Sequence, residues 1–135
     1  MKTHLVLWMM ILFLTIISCQ KDNSNSYPKK LYGAWDWVQS SGGIMGETIT
    51  PSTAEHSKTI EFSKDGFCTW YINGQLQDKK RFFLKEGASI YTSETAYFLE
   101  YEEDFIKQSI FFEENDIFYL SDECFDCYTH TYKRK

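Results

Sequence analysis

Cys124-Phe125-Asp126-Cys127 places two thiols two residues apart, a spacing that suits half of a zinc site or a dithiol redox pair. Zinc would want two further ligands, and only Cys68, His56, His130 and carboxylates are on offer. A redox pair would want a helix amino terminus to lower one thiol's pKa, and the residues that follow do not read as a helix. The layout expected is therefore a hairpin loop in an oxidising compartment, with Cys124 or Cys127 bonded to Cys68. His130 shares alternation parity with Tyr128, Tyr132 and Arg134, so on a strand it points inward as a packed, hydrogen-bonded histidine. His56, beside Glu55, is expected in solvent. No Ser, His and Asp set has a recognisable spacing or a nucleophile elbow, and Glu102-Glu103 and Glu113-Glu114 fall at strand ends, so no catalytic residue is assigned. Trp37, Trp70, Tyr71, Phe82 and Phe98, with His130, are the candidates to line an apolar ligand cavity. In a short barrel the same large side chains would equally serve to fill it.

The elements that position these residues are strands. Aromatic residues make up 18% of the chain, and Tyr and Phe alternating with Thr, Ser and charged residues suit a pleated, half-buried surface. From Leu31 onward, apolar stretches of strand length recur with turn chemistry between them, and none keeps helical spacing for more than a turn. Leu31 to Val38 reads as the first strand, with Leu31, Gly33, Trp35 and Trp37 on the inner face. Ser40 to Ser57 reads as a long irregular connection, a lid or binding loop. Thr59 to Ser63 and Phe67 to Ile72 form a hairpin through Asp65-Gly66, and Asn73-Gly74 repeats the device. Arg81 to Leu84, Ser89 to Thr92, Ala96 to Tyr101, Phe105 to Phe112, Ile117 to Leu120 and Tyr128 to Arg134 complete the set. Short strands linked in sequence by tight turns predict an all-β, antiparallel up-and-down barrel of eight strands, with a β-sandwich as the alternative.

Length and charge set the boundaries. The 135 residues leave room for one domain. The surplus of acidic residues, 19 against 14 basic, repels phosphate backbones and argues against nucleic acid as a partner. Lys2 and His4 precede an apolar run from Leu5 to Ile17, which falls short of a membrane span and matches an export leader. The run ends in Ile16-Ile17-Ser18-Cys19, which resembles the lipobox of bacterial lipoproteins. That resemblance implies removal of residues 1–18 and a lipid anchor of acyl chains, palmitate among them, on Cys19. Residues 19–29 then read as a lipidated cysteine and flexible tether, and 30–135 as the barrel domain. Gln20-Lys21-Asp22 also resembles the start of signals that send some Gram-negative lipoproteins to the outer face of the outer membrane. With Cys19 acylated, three cysteines remain, so at least one thiol is unpaired within a monomer.

Leu31-Tyr32-Gly33-Ala34-Trp35-Asp36-Trp37-Val38, followed by Ser41-Gly42-Gly43, Thr50-Pro51, Phe62, Asp65-Gly66 and Asn73-Gly74, is similar to the small lipocalin-like lipoproteins of Gram-negative bacteria. Gly33-x-Trp35 resembles the Gly-x-Trp of the first lipocalin strand. The family resemblance implies that an arginine of the last strand, here Arg134, rests on the ring of Trp35 and closes the barrel bottom. It implies no particular ligand, since a fold does not fix a function. The function expected is a non-catalytic, outer-membrane-anchored binding module for a small apolar or amphipathic ligand, facing the periplasm or the cell surface, with no cofactor or metal. The alternative is a filled barrel that serves an envelope assembly through its loops. A redox or zinc role at Cys124 and Cys127 stands behind both.

Overall fold

The structure, a computed structural model, describes residues 29–113 and 116–135. The leader, Cys19 and its tether, and two residues of the turn before Asp116, lie outside the described residues. Among those described, nine strands follow in order: β1 (Gly33–Gly42), β2 (Glu47–Ile49), β3 (Lys58–Phe62), β4 (Phe67–Ile72), β5 (Gln75–Ala88), β6 (Thr95–Tyr101), β7 (Lys107–Glu113), β8 (Ile117–Asp122) and β9 (Tyr128–Arg134). One short helix, α1 (Pro51–Ala54), separates β2 from β3.

All pairings are antiparallel, each strand from β3 to β9 lies beside the next, and β9 returns to β1. The sheet is thus a closed eight-stranded up-and-down barrel with β2 as an extra strand, a lipocalin-like barrel. Closure removes the two free edges that an open meander would present. β1 carries three partners because it is long: Gly33 to Asp36 pair with β3, Ser40 to Gly42 pair with β2, and β9 runs along the opposite edge.

Two expected elements are corrected. Ser40 to Ser57 is not irregular: it holds the end of β1, β2 and α1. Thr50 caps the helix in a reciprocal capping box with Thr53, and Pro51 occupies the first turn, where its missing N–H costs nothing. Residues 89–92 are not a strand. The β5–β6 loop folds back on the far wall, where Glu123 accepts from Ser89 Oγ (2.7 Å) and the Ile90 amide (3.0 Å). β5 is correspondingly longer than expected, since its first half, Gln75 to Arg81, is paired with β4 although all its residues but Leu76 are polar.

The core occupies the end of the barrel where β1 begins. Trp35, Phe62, Phe82 and Phe118 are fully buried there, with Leu31, Ile60 and Leu99 between them. Their rings interlock edge to face: Trp35 lies 4.7 Å from Phe118, and Phe62 lies 5.2 Å from Phe82. Each such side chain contributes about 1.5–3 kcal/mol by leaving water. Arg134 seals this end. Its guanidinium sits 4.1 Å over Trp35 and donates to the carbonyls of Tyr32 (3.0 Å) and Lys30 (2.6 Å), while Nε donates to Asp116 (2.9 Å). Trp35 Nε1 donates to the Leu31 carbonyl (2.8 Å). Gly33 has φ of +119°, which strains any other residue, and a Cβ on it would crowd the guanidinium at 3.1 Å.

Candidate functional site at the barrel mouth

The inner rows of the barrel change character along their length. Inward positions recur every second residue, and on five strands the row runs from apolar at the closed end to polar at the other. β3 presents Phe62, Ile60 and then Lys58; β5 presents Leu84, Phe82 and then Lys80; β7 ends on Gln108, β8 on Asp122 and β9 on His130. The apolar members interdigitate, whereas the polar members ring an open cavity of about 380 Å³. Its walls are Trp37, Trp70 and Tyr101, with Leu120 and Tyr132 toward the packed half and Lys58, Asp78, Lys80, Asp104, Gln108 and His130 around the mouth.

A β-bulge builds one wall. Trp37 faces Tyr132 and Gln39 faces Thr131, so Val38 is the extra residue, and it turns to solvent. The bulge reverses the parity of β1 beyond it: Ser40, not Gln39, is buried and lies opposite His130. Trp37 Nε1 donates to Ser40 Oγ (2.9 Å), which lies 2.6 Å from His130 Nδ1. On the other side of the ring, His130 Nε2 lies 3.7 Å from Asp122 Oδ2, and Asp122 accepts from Gln108 Nε2 (2.7 Å). A hydrogen on Nε2 directed at the carboxylate leaves Nδ1 to accept from the Ser40 hydroxyl. The contact with His130, and then that with Gln108, holds the Asp122 carboxyl below the usual carboxylate range against the opposing effect of burial. Ser, His and Asp thus meet in space where sequence spacing gave no sign of it. The hydroxyl is buried, occupied by the indole of Trp37, and not among the groups that line the cavity.

Across the cavity, Lys80 lies between Asp78 (3.6 Å) and Asp104 (3.4 Å). Asp104 also accepts from the Ile106 amide (3.1 Å), and that bond with the Lys80 contact holds its carboxyl below the usual range. Lys58 takes a different position, with its ammonium 4.6 Å over the Trp37 ring.

Of the residues expected at a ligand cavity, Trp37, Trp70 and His130 line the mouth. Phe82 belongs to the packed half. Tyr71 and Phe98 are corrected. Tyr71 stands on the outer face, where its hydroxyl donates to Glu61 (3.4 Å). Phe98 is buried outside the barrel core, its ring beneath Lys107 Nζ (3.8 Å) and close to Gly87. His56 is half-buried, with its ring stacked 6.1 Å from Trp37. Gly33, Trp35 and Arg134 come together at the closed end.

The cysteines also pair differently from the expectation. Cys124 and Cys127 are bonded to each other, with Cα atoms 5.5 Å apart, and Cys68 is free and buried. Cys68 sits in the packed interior on β4, whereas the other two lie on an outer loop and are joined to each other. Burial pushes the Cys68 thiol well up, which makes it a poor nucleophile. Among the described residues no group of three or more His, Cys, Asp or Glu side chains is placed to hold a metal.

Fold and site together define a class, a closed eight-stranded barrel that is packed at one end and hollow at the other. Comparison of the chain with protein-family models, with curated proteins and with solved structures returns no match.

Proposed function

We propose that this protein is a lipid-anchored, lipocalin-like binding module that takes a small amphipathic molecule at its open end and does not transform it. The observation that carries the reading is the cavity between Trp37 and Trp70, which has the concave, partly aromatic form of small-molecule sites with a few fixed polar groups. The first described residues, Lys29 to Leu31, adjoin Arg134 at the closed end. Acyl chains on Cys19 would hold the domain to the outer membrane.

Two measurements test this. Mass spectrometry of the protein released gently from its own membrane should show acylation at Cys19 and a small-molecule adduct, and Cys19→Ser should abolish palmitate incorporation and move the protein to the soluble fraction. Unchanged membrane retention of the variant would reject the anchor. Tryptophan emission should shift when amphiphiles are added, because two of the three mature tryptophans face the cavity; a silent response across a broad panel, with no adduct, would reject ligand binding.

A second reading has its own observation. Ile44, Met45, Phe105 and Phe125 are exposed at loop tips around the same mouth, and the β1–β2 tip touches the β8–β9 loop through Gly43 N–H to the Cys127 carbonyl (3.3 Å). Such a patch suits a protein partner in an envelope assembly. Serine at these positions would then abolish co-purification with that partner while leaving the cavity intact.

A further inference from the structure

The hydrogen-bonding groups of the mouth cavity are unequally used. Its carboxylates are engaged: Asp78 and Asp104 flank Lys80, and the neighbouring Asp122 holds Gln108 and faces His130. Three of its donors are not. Among the described residues no carboxylate lies within ion-pair distance of Lys58, whose ammonium rests only on the Trp37 face. Neither the indole N–H of Trp70 nor the hydroxyl of Tyr132 has a protein acceptor, and neither atom is sealed from solvent. Burial pushes the Tyr132 hydroxyl well above the usual phenol range, so it stays a donor at any physiological pH.

A ligand must therefore supply acceptors. A cation would have to displace Lys80 from two carboxylates or Lys58 from its ring, and a neutral apolar body would strip water from an ammonium without replacing it. An anion instead meets charge-assisted donors, the strongest hydrogen bonds available in a partly closed site. Size limits the rest of the molecule. At about 30 Å³ per water, the cavity holds on the order of a dozen waters. Beneath it Phe82 and Phe118 are packed without access, so a long acyl chain has nowhere to go.

The geometry points to a compact organic anion as the ligand class, with its acidic group on Lys58 and Tyr132 and a ring-sized apolar body against Trp70 and Leu120. This rests on the binding-module reading above. The test is calorimetric titration of the full-length protein in detergent with naphthoate, with its neutral isostere naphthamide, and with the larger neutral probe N-phenylnaphthylamine. Naphthoate should bind at least about tenfold more tightly than naphthamide, the effect of one charge-assisted hydrogen bond. Lys58→Met should erase that preference, Lys58→Arg should keep it, and Tyr132→Phe should weaken naphthoate severalfold with an unchanged circular dichroism spectrum. Naphthamide binding as tightly as naphthoate, or Lys58→Met leaving naphthoate affinity intact, would overturn the anion assignment and leave the binding module standing. Binding of N-phenylnaphthylamine alone would do the same. No binding of any of the three would overturn both.

Discussion

The two ends of this barrel are built from the same strands in the same register, yet one is solid and the other hollow. Around Trp35 and Phe118 the side chains beneath the Arg134 seal are aromatic or aliphatic, and the rings fill the lumen edge to face. Two positions further along the same rows stand Lys58, Lys80, Gln108, Asp122 and His130, whose polar ends are held at the wall, Lys80 by Asp78 and Asp104, Gln108 and His130 by Asp122, and Lys58 by the Trp37 ring, instead of filling the centre. The backbone therefore does not decide whether a barrel this narrow is a container. The polarity of the last inward residue on each strand does, because paired charges hold one another apart from the axis while apolar groups converge on it.

That contrast can be broken most severely at the closed end. Phe118→Ala removes a fully buried ring that touches Trp35, Phe62 and Tyr132, and should cost about 3–5 kcal/mol in urea unfolding. Trp70→Ala, in the wall of a space already open, should cost distinctly less, and equal losses would mean that the hollow is not a hollow in solution. Arg134→Met comes next. It removes the cation over Trp35 and the bonds to Tyr32, Lys30 and Asp116, and should cost about 2–3 kcal/mol while leaving cavity binding unchanged. A third test lies at the mouth. Reduction of Cys124–Cys127 should destabilise by at most about 2 kcal/mol, because so short a loop constrains the unfolded chain only modestly. During that reduction Cys68 should stay unreactive toward a thiol reagent until the barrel unfolds, and early labelling would show that the packed half opens independently.

Much of this was legible in alternation. The barrel follows from period-two patterning and the turn residues: Asn73 and Gly74 take φ of +50° and +77°, as a two-residue hairpin requires. The pairing of Arg134 with Trp35 came not from alternation but from the likeness of Gly33-x-Trp35 to the first lipocalin strand, and the structure brings the two together. What alternation missed has physical causes. Nothing in the residue type of Val38 marks a bulge, so parity carried past it assigns Gln39 inward and hides the meeting of Ser40 with His130. Phe98 and Leu99 are both buried, one on each face of β6, so apolar character alone could not say which one looks inward. Thr50-Pro51-Ser52-Thr53 did carry a readable helix start, obscured by the brevity of the helix that follows. The cavity's charged rim was also present in the text, as a polar residue two places before an apolar pair in Lys58-x-Ile60-x-Phe62 and Lys80-x-Phe82-x-Leu84. Only the fold shows that these strand ends share one mouth.

The smallest expected effect isolates the polar wall itself. Asp122→Asn keeps the shape of the side chain but removes the charge that faces His130 and accepts from Gln108, and should cost about 1 kcal/mol at neutral pH. The pH dependence follows from the direction of the shift. The folded Asp122 carboxyl titrates below its unfolded value, near 3.9 for a free aspartate, so its contribution is complete above that value and disappears as pH falls through the lower folded pKa. Urea midpoints of the two proteins should therefore differ at about pH 5 and converge below about pH 4. A gap that persisted unchanged from about pH 5 to below about pH 3 would mean that no ionised Asp122 supports the folded wall. The open end would then be a second, imperfect core and not a hydrated, charge-lined cavity.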